Sequence, residues 1–285
     1  MKRSDFRFLD TLRVRWAEVD MQKIVFNGHY LTYIDTAVAG YWRALAMPYE
    51  ATMAQLGSDL FVRKATLEYE GSARYDEQLA VGVRCARVGN SSLSFSAAVF
   101  RGEQRLVLAE LVYVHADPAA QASRPVPAAL RDLFTAFEAG EPMTSVRLGG
   151  WQELGDEAHA LRKAVFHDEQ RIAANLMVDG ADESAVHAVS RNRLGLAIAS
   201  GRLLPARDGV SQIGRMATHA ALRGTGHGRE LLQALMQAAR GRGDRAVRLN
   251  AQASAIGFYQ RLGFEFEGAP FEEAGIPHQA MSKAL

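Results

Sequence analysis

The chain of 285 residues is 48% hydrophobic and carries a formal net charge of +1. That balance excludes a protein that works by a global field on nucleic acid or an anionic membrane, and the length favours two cored domains over one. The single cysteine, Cys85, rules out a disulfide framework within the chain and reads as a buried structural thiol.

No apolar run approaches membrane-spanning length, and Met1-Lys2-Arg3-Ser4-Asp5 lacks the apolar region of a secretion signal. A soluble cytoplasmic protein is expected, with neither nucleic acid nor membrane as partner.

Residues 8–17 alternate as a strand. Residues 30–46 place Ile34, Val38, Tyr41, Trp42 and Leu45 at helical spacing, and Pro48 follows the end of that run. Strand-length runs come next at 59–69, 78–88, 92–101 and 104–115, separated by turns such as Gly89-Asn90 and Gly102-Glu103. The pattern predicts an α+β domain with a sheet wrapped round one long helix.

Pro118, Pro125 and Pro127 then interrupt regular structure, a short helix is expected over 128–138, and Gly140-Glu141-Pro142 ends it. The expected domains are 1–140 and 141–285. The second reads as a helix at 157–166, a hairpin at 187–193 and 195–203, and a strand at 211–218. A strong helix at 226–240 carries Leu231, Leu232, Leu235 and Met236 on one face. A strand at 246–249, a helix at 253–261 and a strand opening at Phe264 complete a mixed α/β layer structure.

The most informative run is Ile213-Gly214-Arg215-Met216-Ala217-Thr218, followed by Arg223-Gly224-Thr225-Gly226-His227-Gly228 and Arg229-Glu230-Leu231-Leu232. Glycines at alternate positions permit positive φ and close backbone approach. The N–H groups of the helix start then form a cradle for an anion such as a pyrophosphate. A tight turn packed between helix and strand is the plain reading. A P-loop would close on Gly-Lys-Ser/Thr, whereas this loop closes on His227-Gly228-Arg229. A dinucleotide turn opens the first βαβ unit, whereas this one falls late in its domain and Asn250 lies beyond the next strand.

Arg223-Gly224-Thr225-Gly226-His227-Gly228 resembles the Gln/Arg-x-x-Gly-x-Gly/Ala loop of the GNAT acetyltransferases, which bind acetyl-CoA. Asp179-Gly180-Ala181-Asp182, Gly201-Arg202-Leu203-Leu204, Gly214-Arg215-Met216-Ala217, residues 257–264 and Glu272-Glu273-Ala274-Gly275-Ile276-Pro277-His278 extend the resemblance over roughly 146–285. It implies a strand whose backbone, through Ile213, Met216, Ala217 and Thr218, pairs with the acetyl and pantetheine amides. It places Arg223 and Gly224 at the opening of the loop, and Thr225, Gly226, His227 and Gly228 around the pyrophosphate. Tyr259 stands where the family's tyrosine protonates the departing thiolate; a packed aromatic beside Phe258 is the plain alternative. His278, Glu272 and Glu273 are candidates for the general base, and a solvated acidic face explains the glutamates equally well.

In the first half, residues 15–31 read as a strand end, an acidic loop and a helix start. Asn27 fits a helix cap and Asp20 a turn. The run is similar to the segment before the central helix of hotdog-fold acyl-CoA thioesterases of the hydroxybenzoyl-CoA thioesterase-like branch. Residues 63–75, Gly89-Asn90-Ser91-Ser92 and Arg124-Pro125-Val126-Pro127 reinforce the likeness over roughly 6–134. The resemblance places Asp20 at the catalytic aspartate and Asn27 where many relatives have a histidine that orients water or the carbonyl. The helix N-terminus around Gly28 supplies dipole to an oxyanion. Ser91 and Ser92 touch CoA phosphates on this reading and form a hairpin turn on the plain one. One departure stands out, because Met21-Gln22-Lys23 replaces the family's Pro/Ala-x-Gly.

The expectation is a bifunctional enzyme, an acyl-CoA thioesterase fused to an N-acetyltransferase. Its substrates are acetyl-CoA or another acyl-CoA and an amine acceptor. The alternative is a GNAT acetyltransferase with a non-catalytic acyl-CoA-binding or oligomerisation module. Hotdog domains share sites between subunits, which implies a homodimer or higher oligomer. His159 and His167, eight positions apart, lack metal-ligand spacing, so no metal is expected.

Overall fold

The computed structural model describes residues 1–177 and 179–285. The chain divides into two compact units, Met1–Met143 and Thr144–Leu285.

In the first unit, β1 (Phe8–Arg13) and a 3-10 turn (Trp16–Glu18) precede α1 (Asn27–Ala44) and α2 (Tyr49–Leu56). The strands β2 (Asp59–Tyr69), β3 (Gln78–Val88), β4 (Ser92–Arg101) and β5 (Gln104–Asp117) follow, then β6 (Ala122–Ser123) and α3 (Ala128–Glu138). The sheet order is β1-β3-β4-β5-β2, antiparallel throughout, with β6 beside β5. Tyr30, Tyr33, Ile34, Ala37, Val38 and Tyr41 recur on the buried face of α1, the three-and-four spacing of a helix laid on a sheet. Its core is aromatic: Tyr41 and Trp42 meet Phe95 of β4 edge-on at 5.8 and 5.6 Å, and Phe134 of α3 closes over them. Glu138 joins α3 to both layers, accepting hydrogen bonds from Tyr41 Oη (2.6 Å) and the Cys85 backbone N–H (2.9 Å). Cys85 is buried, and desolvation, with Glu138 nearby, pushes its thiol up to about 12.

The strand expected over 8–17 ends at Arg13, because residues 16–18 turn into the 3-10 helix that buries Glu18. The helix α2 was not anticipated; Pro48 was read as a stop, yet it also serves as the N-cap of α2, which ends on Gly57 in the left-handed region.

In the second unit, β7 (Thr144–Gly149) leads into α4 (Trp151–Arg162), which continues as a π-helical segment (Lys163–Glu169). Next come β8 (Val186–Asn192), β9 (Ala197–Leu203), β10 (Val210–Thr218) and α5 (His227–Gly241). The remainder is β11 (Ala246–Gln252), α6 (Ile256–Gln260), β12 (Glu265–Phe266), β13 (Phe271–Glu273) and β14 (Ile276–Ala284). The sheet order is β12-β14-β11-β10-β9-β8-β7, with β13 paired to β14. Its strands are antiparallel except β10 and β11, which run parallel. Leu231, Leu232, Leu235, Met236 and Ala239 of α5 pack on Ala199, Leu203, Ile213, Val247 and Leu249 of the sheet. The helix expected at 157–166 begins at Trp151. The one expected at 253–261 is a 3-10 turn followed by α6, and Phe264 is a core residue just ahead of the short β12. Among the described residues, no helix is long and apolar enough to cross a membrane.

Candidate functional site

The second unit's site arises from one irregularity in β10. This strand pairs with β11 only over Val210–Gln212, opposite Ala246, Val247 and Arg248. On its other side it pairs with β9 at Ile213 and Gly214, slips register, and resumes at Ala217 and Thr218. Arg215 occupies the slip with φ +54°, the left-handed region, as a bulge residue that bends its strand. β11 meanwhile runs straight on to Gln252, held by β14. The parallel pair therefore opens from Ile213 onward.

The opening widens into a cavity of about 480 Å³ whose lining includes Ile213, Arg215, Met216, Tyr259, Glu273 and His278. Ala217 and Thr218 carry β10 on towards the glycine loop, Ala217 packing on Leu161 and Val165. Thr218 O accepts from Arg223 Nε at 3.2 Å, and Arg223 also grips Glu169 by both terminal nitrogens at 2.5 and 2.6 Å. Arg223 thus braces the loop against α4's π-helical extension. Thr225 Oγ1 donates to Leu222 O at 2.6 Å. Gly224 and Gly226 sit at φ +83° and +102°, conformations that L side chains resist. Gly226 is the N-cap of α5, and the N–H groups of Arg229 and Glu230 both return to its carbonyl. The N–H groups of His227 and Gly228 belong to the turn before that ladder begins, so the helix itself supplies them no acceptor. His227 is buried, and its ring nitrogens find no hydrogen-bond partner among the described residues.

Tyr259 is both a packed aromatic and a cavity group. Its ring meets Phe258 at 4.9 Å and Phe264 at 5.7 Å, and burial pushes its hydroxyl up to about 12. Across the cavity, His278 Nδ1 lies 2.7 Å from Ile276 O; with a carbonyl as partner that nitrogen carries the proton, leaving Nε2 as an acceptor. Glu273 accepts from Asn250 Nδ2 at 3.1 Å and lines the cavity. Glu272, exposed on β13, does not.

Three further cavity residues had no role assigned from sequence. Asp179 receives Arg202 Nη1 and Nη2 at 2.6 and 2.8 Å and Arg215 Nη2 at 3.0 Å. Arg202 Nη1 also meets the buried Asp182 at 2.8 Å, and Asp182 binds the fully buried Arg162 at 2.9 Å. The spacings of 20 to 36 positions that separate these partners hide the cluster from any local pattern. The guanidinium of Arg202, followed by the Coulomb attraction and a backbone N–H, holds the Asp179 carboxyl well below its usual range despite partial desolvation.

In the first unit, Asp20 lies in a tight loop closed by the bridge between Val19 and Val25. Its N–H donates to Ile24 O, its carbonyl accepts from Lys23 N, and its carboxylate Oδ1 accepts from Gln22 N at 2.8 Å. Lys23, which replaces the family's glycine, keeps φ +62°; the loop retains a glycine-like backbone and adds a cation. Asn27 is the first residue of α1, with Phe26 as the N-cap and no side-chain cap bond. The side chain of Asn27 is exposed and its carbonyl accepts from Tyr69 Oη at 3.1 Å. Ser91 and Ser92 form the β3–β4 turn through backbone bonds to His115 and Gly89.

Glu18 was passed over in the sequence. It is 4% exposed and accepts from Tyr33 Oη (2.6 Å), Arg15 Nε (2.6 Å) and Arg15 N (2.8 Å). Burial alone would raise its pKa, but these donors together bring it below the ordinary carboxylate range. Its carbonyl accepts from Phe26 N at 2.9 Å, so Glu18 ties the Asp20 loop to the start of α1. Several apolar side chains in and near this segment are exposed: Trp16, Met21, Phe26, Leu31 and Tyr69.

Family comparisons match the two units separately. The thioesterase superfamily covers residues 22–108, and the acetyltransferase (GNAT) domain covers residues 153–285. The second unit belongs to the GNAT acetyltransferases, and the first carries the thioesterase-superfamily match. The chain is a hotdog thioesterase-superfamily domain followed by a GNAT domain. The GNAT domain is similar to a UPF0039 protein of Synechocystis sp., with 33% identity across 46% of this chain and 91% of that protein. It is similar also to the solved structure of Escherichia coli ElaA, with 29% identity, 50% and 99% coverage and a TM-score of 0.45. The hotdog domain is similar to the acyl-CoA thioester hydrolase YbgC of Escherichia coli, with 27% identity over 41% of this chain and 87% of that protein.

Proposed function

We propose that the chain is a bifunctional CoA-ester enzyme, with N-acetyl transfer in the GNAT domain and acyl-CoA hydrolysis in the hotdog domain. The observation that carries the first activity is the parting of β10 from β11 at Ile213, with Tyr259 lining the opening. The freed β10 backbone takes the place of strand partner to the acetyl and pantetheine amides, and the Gly224–Gly228 turn receives the pyrophosphate. The acceptor amine gives its proton to His278 Nε2 or Glu273 and attacks the thioester carbonyl. The C–N bond forms, the C–S bond breaks, and Tyr259 protonates the departing thiolate. A hydroxyl held near 12 is protonated at neutral pH and serves as a donor.

For the hotdog domain, Asp20 is the carboxylate that attacks the thioester or activates water. The N-terminus of α1 stabilises the oxyanion, and Asn27 orients water or the carbonyl. The natural partner is a second copy of the chain. Among the described residues β2 pairs only with β5, and Phe61 and Val62 on it are 47% and 52% exposed. An open apolar edge of this kind calls for a cover, and a second copy would also bury the apolar residues beside Asp20.

A second reading, in which the hotdog domain binds acyl-CoA without hydrolysing it, is favoured by Lys23 and by the exposed Asn27 side chain. Free-thiol release from a panel of acyl-CoAs, with and without amines, separates the two. Asp20→Ala abolishes amine-independent release if the domain is catalytic and leaves it unchanged if the domain only binds.

A further inference from the structure

We infer that the acceptor of the GNAT domain is a small primary amine that also bears an anionic group, not a polyamine, a peptide or a protein lysine. The inference rests on the acyl-transfer reading of the cleft.

The parting of β10 from β11 divides the cavity wall into two chemically different sides. On the β9–β10 side stand Asp179, Arg202 and Arg215. They belong to one hydrogen-bonded cluster with Asp182 and Arg162. Three guanidinium groups thus share two carboxylates, a surplus of one positive charge. His187, packed against the same cluster through Arg162, does not add to that surplus, because burial holds its pKa down and favours the neutral ring. The Nε–H groups of all three arginines are buried with no partner among the described residues. The cluster therefore holds more donors and more positive charge than its own acceptors answer. Its outlets to the cavity are Asp179 and Arg215, 41% and 26% exposed, and of the two Arg215 carries the charge that the carboxylates leave unanswered. The register slip places Arg215 at the opening of the β10–β11 pair, among the residues that line the cavity.

On the β11–β14 side stand Asn250, Glu273 and His278. This side presents a carboxylate and an imidazole with its Nε2 free to accept. A cationic wall facing an acidic and basic one fits a zwitterion. The anion lies against Arg215, where a guanidinium favours a planar carboxylate or a phosphate, and the ammonium lies against Glu273 and His278, where it loses its proton before attack. A polyamine would leave the surplus charge unanswered. A peptide amine or a lysine side chain carries no adjacent anion for Arg215.

The test measures thiol release from acetyl-CoA with matched acceptors. Amino acids are compared with their decarboxylated amines, O-phosphoethanolamine with ethanolamine, and both sets with polyamines and a lysine peptide. Calorimetry of acetyl-CoA binding runs in parallel. The anionic member of at least one pair is expected to be used with kcat/KM on the order of 100-fold above its neutral partner; which pair responds tells carboxylate from phosphate. Arg215→Gln keeps an unbranched polar side chain and so adds little new backbone strain at φ +54° while removing the charge. It should erase that preference through KM while acetyl-CoA still binds. Equal use of both members, preference for the polyamine or peptide, acetyl-CoA binding with no acceptor used, or a preference that survives Arg215→Gln overturns the inference. Failure of acetyl-CoA to bind the wild-type protein instead overturns the acyl-transfer reading beneath it.

Discussion

Tyr259 combines two roles that a sequence reading has to keep apart. The burial that makes it a core aromatic also pushes its hydroxyl up to about 12, which suits the acid role proposed for it. Tyr259→Phe should lower kcat of acetyl transfer by about 100-fold and leave acetyl-CoA affinity within twofold, measured by steady-state kinetics beside calorimetry. The wild type should show no loss of kcat from this group between pH 7 and 10, because its titration lies near 12. Lys23 is a different case, in which a residue holds a conformation it does not favour. At φ +62° a lysine costs roughly 1–2 kcal/mol, part of which a glycine would return to the unfolded state. Lys23→Gly should therefore stabilise the hotdog domain by about 0.5–1 kcal/mol in urea unfolding followed by tryptophan fluorescence. The sequence showed that the glycine was missing but not that its backbone survives, since only a dihedral angle reveals that. Glu18 was illegible for a related reason: an acidic residue in a loop looks solvated until Tyr33, fifteen positions on, is seen to cover it.

Among the elements, the strands of the hotdog sheet and α3 were legible because their alternation and turn residues are local signals. The strand β7 was not, having few apolar residues to alternate, and α2 was masked by a proline that closes one helix and opens the next. The glycine loop was readable because its requirement is local too. Gly226→Ala places a Cβ at φ +102°, and about 1–3 kcal/mol of strain should appear as a lower urea midpoint together with weaker acetyl-CoA binding. The arginine–aspartate cluster is the opposite case, assembled from the end of α4, the segment before β8, and β9 and β10. Asp182 is 1% exposed. Burial works to raise its pKa, but Arg202 and Arg162 outweigh that and hold it down. A carboxylate depressed in the folded state adds stability above its unfolded value of about 4 and loses it as the pH falls through the folded value. The GNAT domain should thus keep a steady urea midpoint from pH 8 to 5 and weaken below about pH 4. Asp182→Asn, which strands Arg162, should cost about 3–5 kcal/mol at neutral pH. The Arg223–Glu169 pair, 42% and 40% exposed, warrants no such expectation; Glu169→Gln should change stability by less than about 1 kcal/mol.

At the scale of the whole molecule, the proposed dimer follows from what β2 leaves uncovered. Sedimentation velocity at micromolar concentration should find a dimer, and Phe61→Glu with Val62→Glu should shift it to monomer; a wild-type monomer would remove the basis for a shared hotdog site. The pairing of two CoA-ester domains was legible because both halves carry extended family resemblances, whereas the wall proposed for the acceptor was not, because its residues meet only in the fold. One consequence of the open pair in the GNAT sheet is mechanical. Among the described residues, the two parts of that sheet, β7 to β10 and β11 to β14, share a ladder of only three residue pairs, and beyond it the β10 amides on that side have no neighbouring strand. In the ligand-free protein these amides should exchange with deuterium faster than those of β9 beside them. Bound acetyl-CoA should slow them by lying in the gap as a guest strand, so that part of the sheet's cohesion comes from a molecule the chain does not encode.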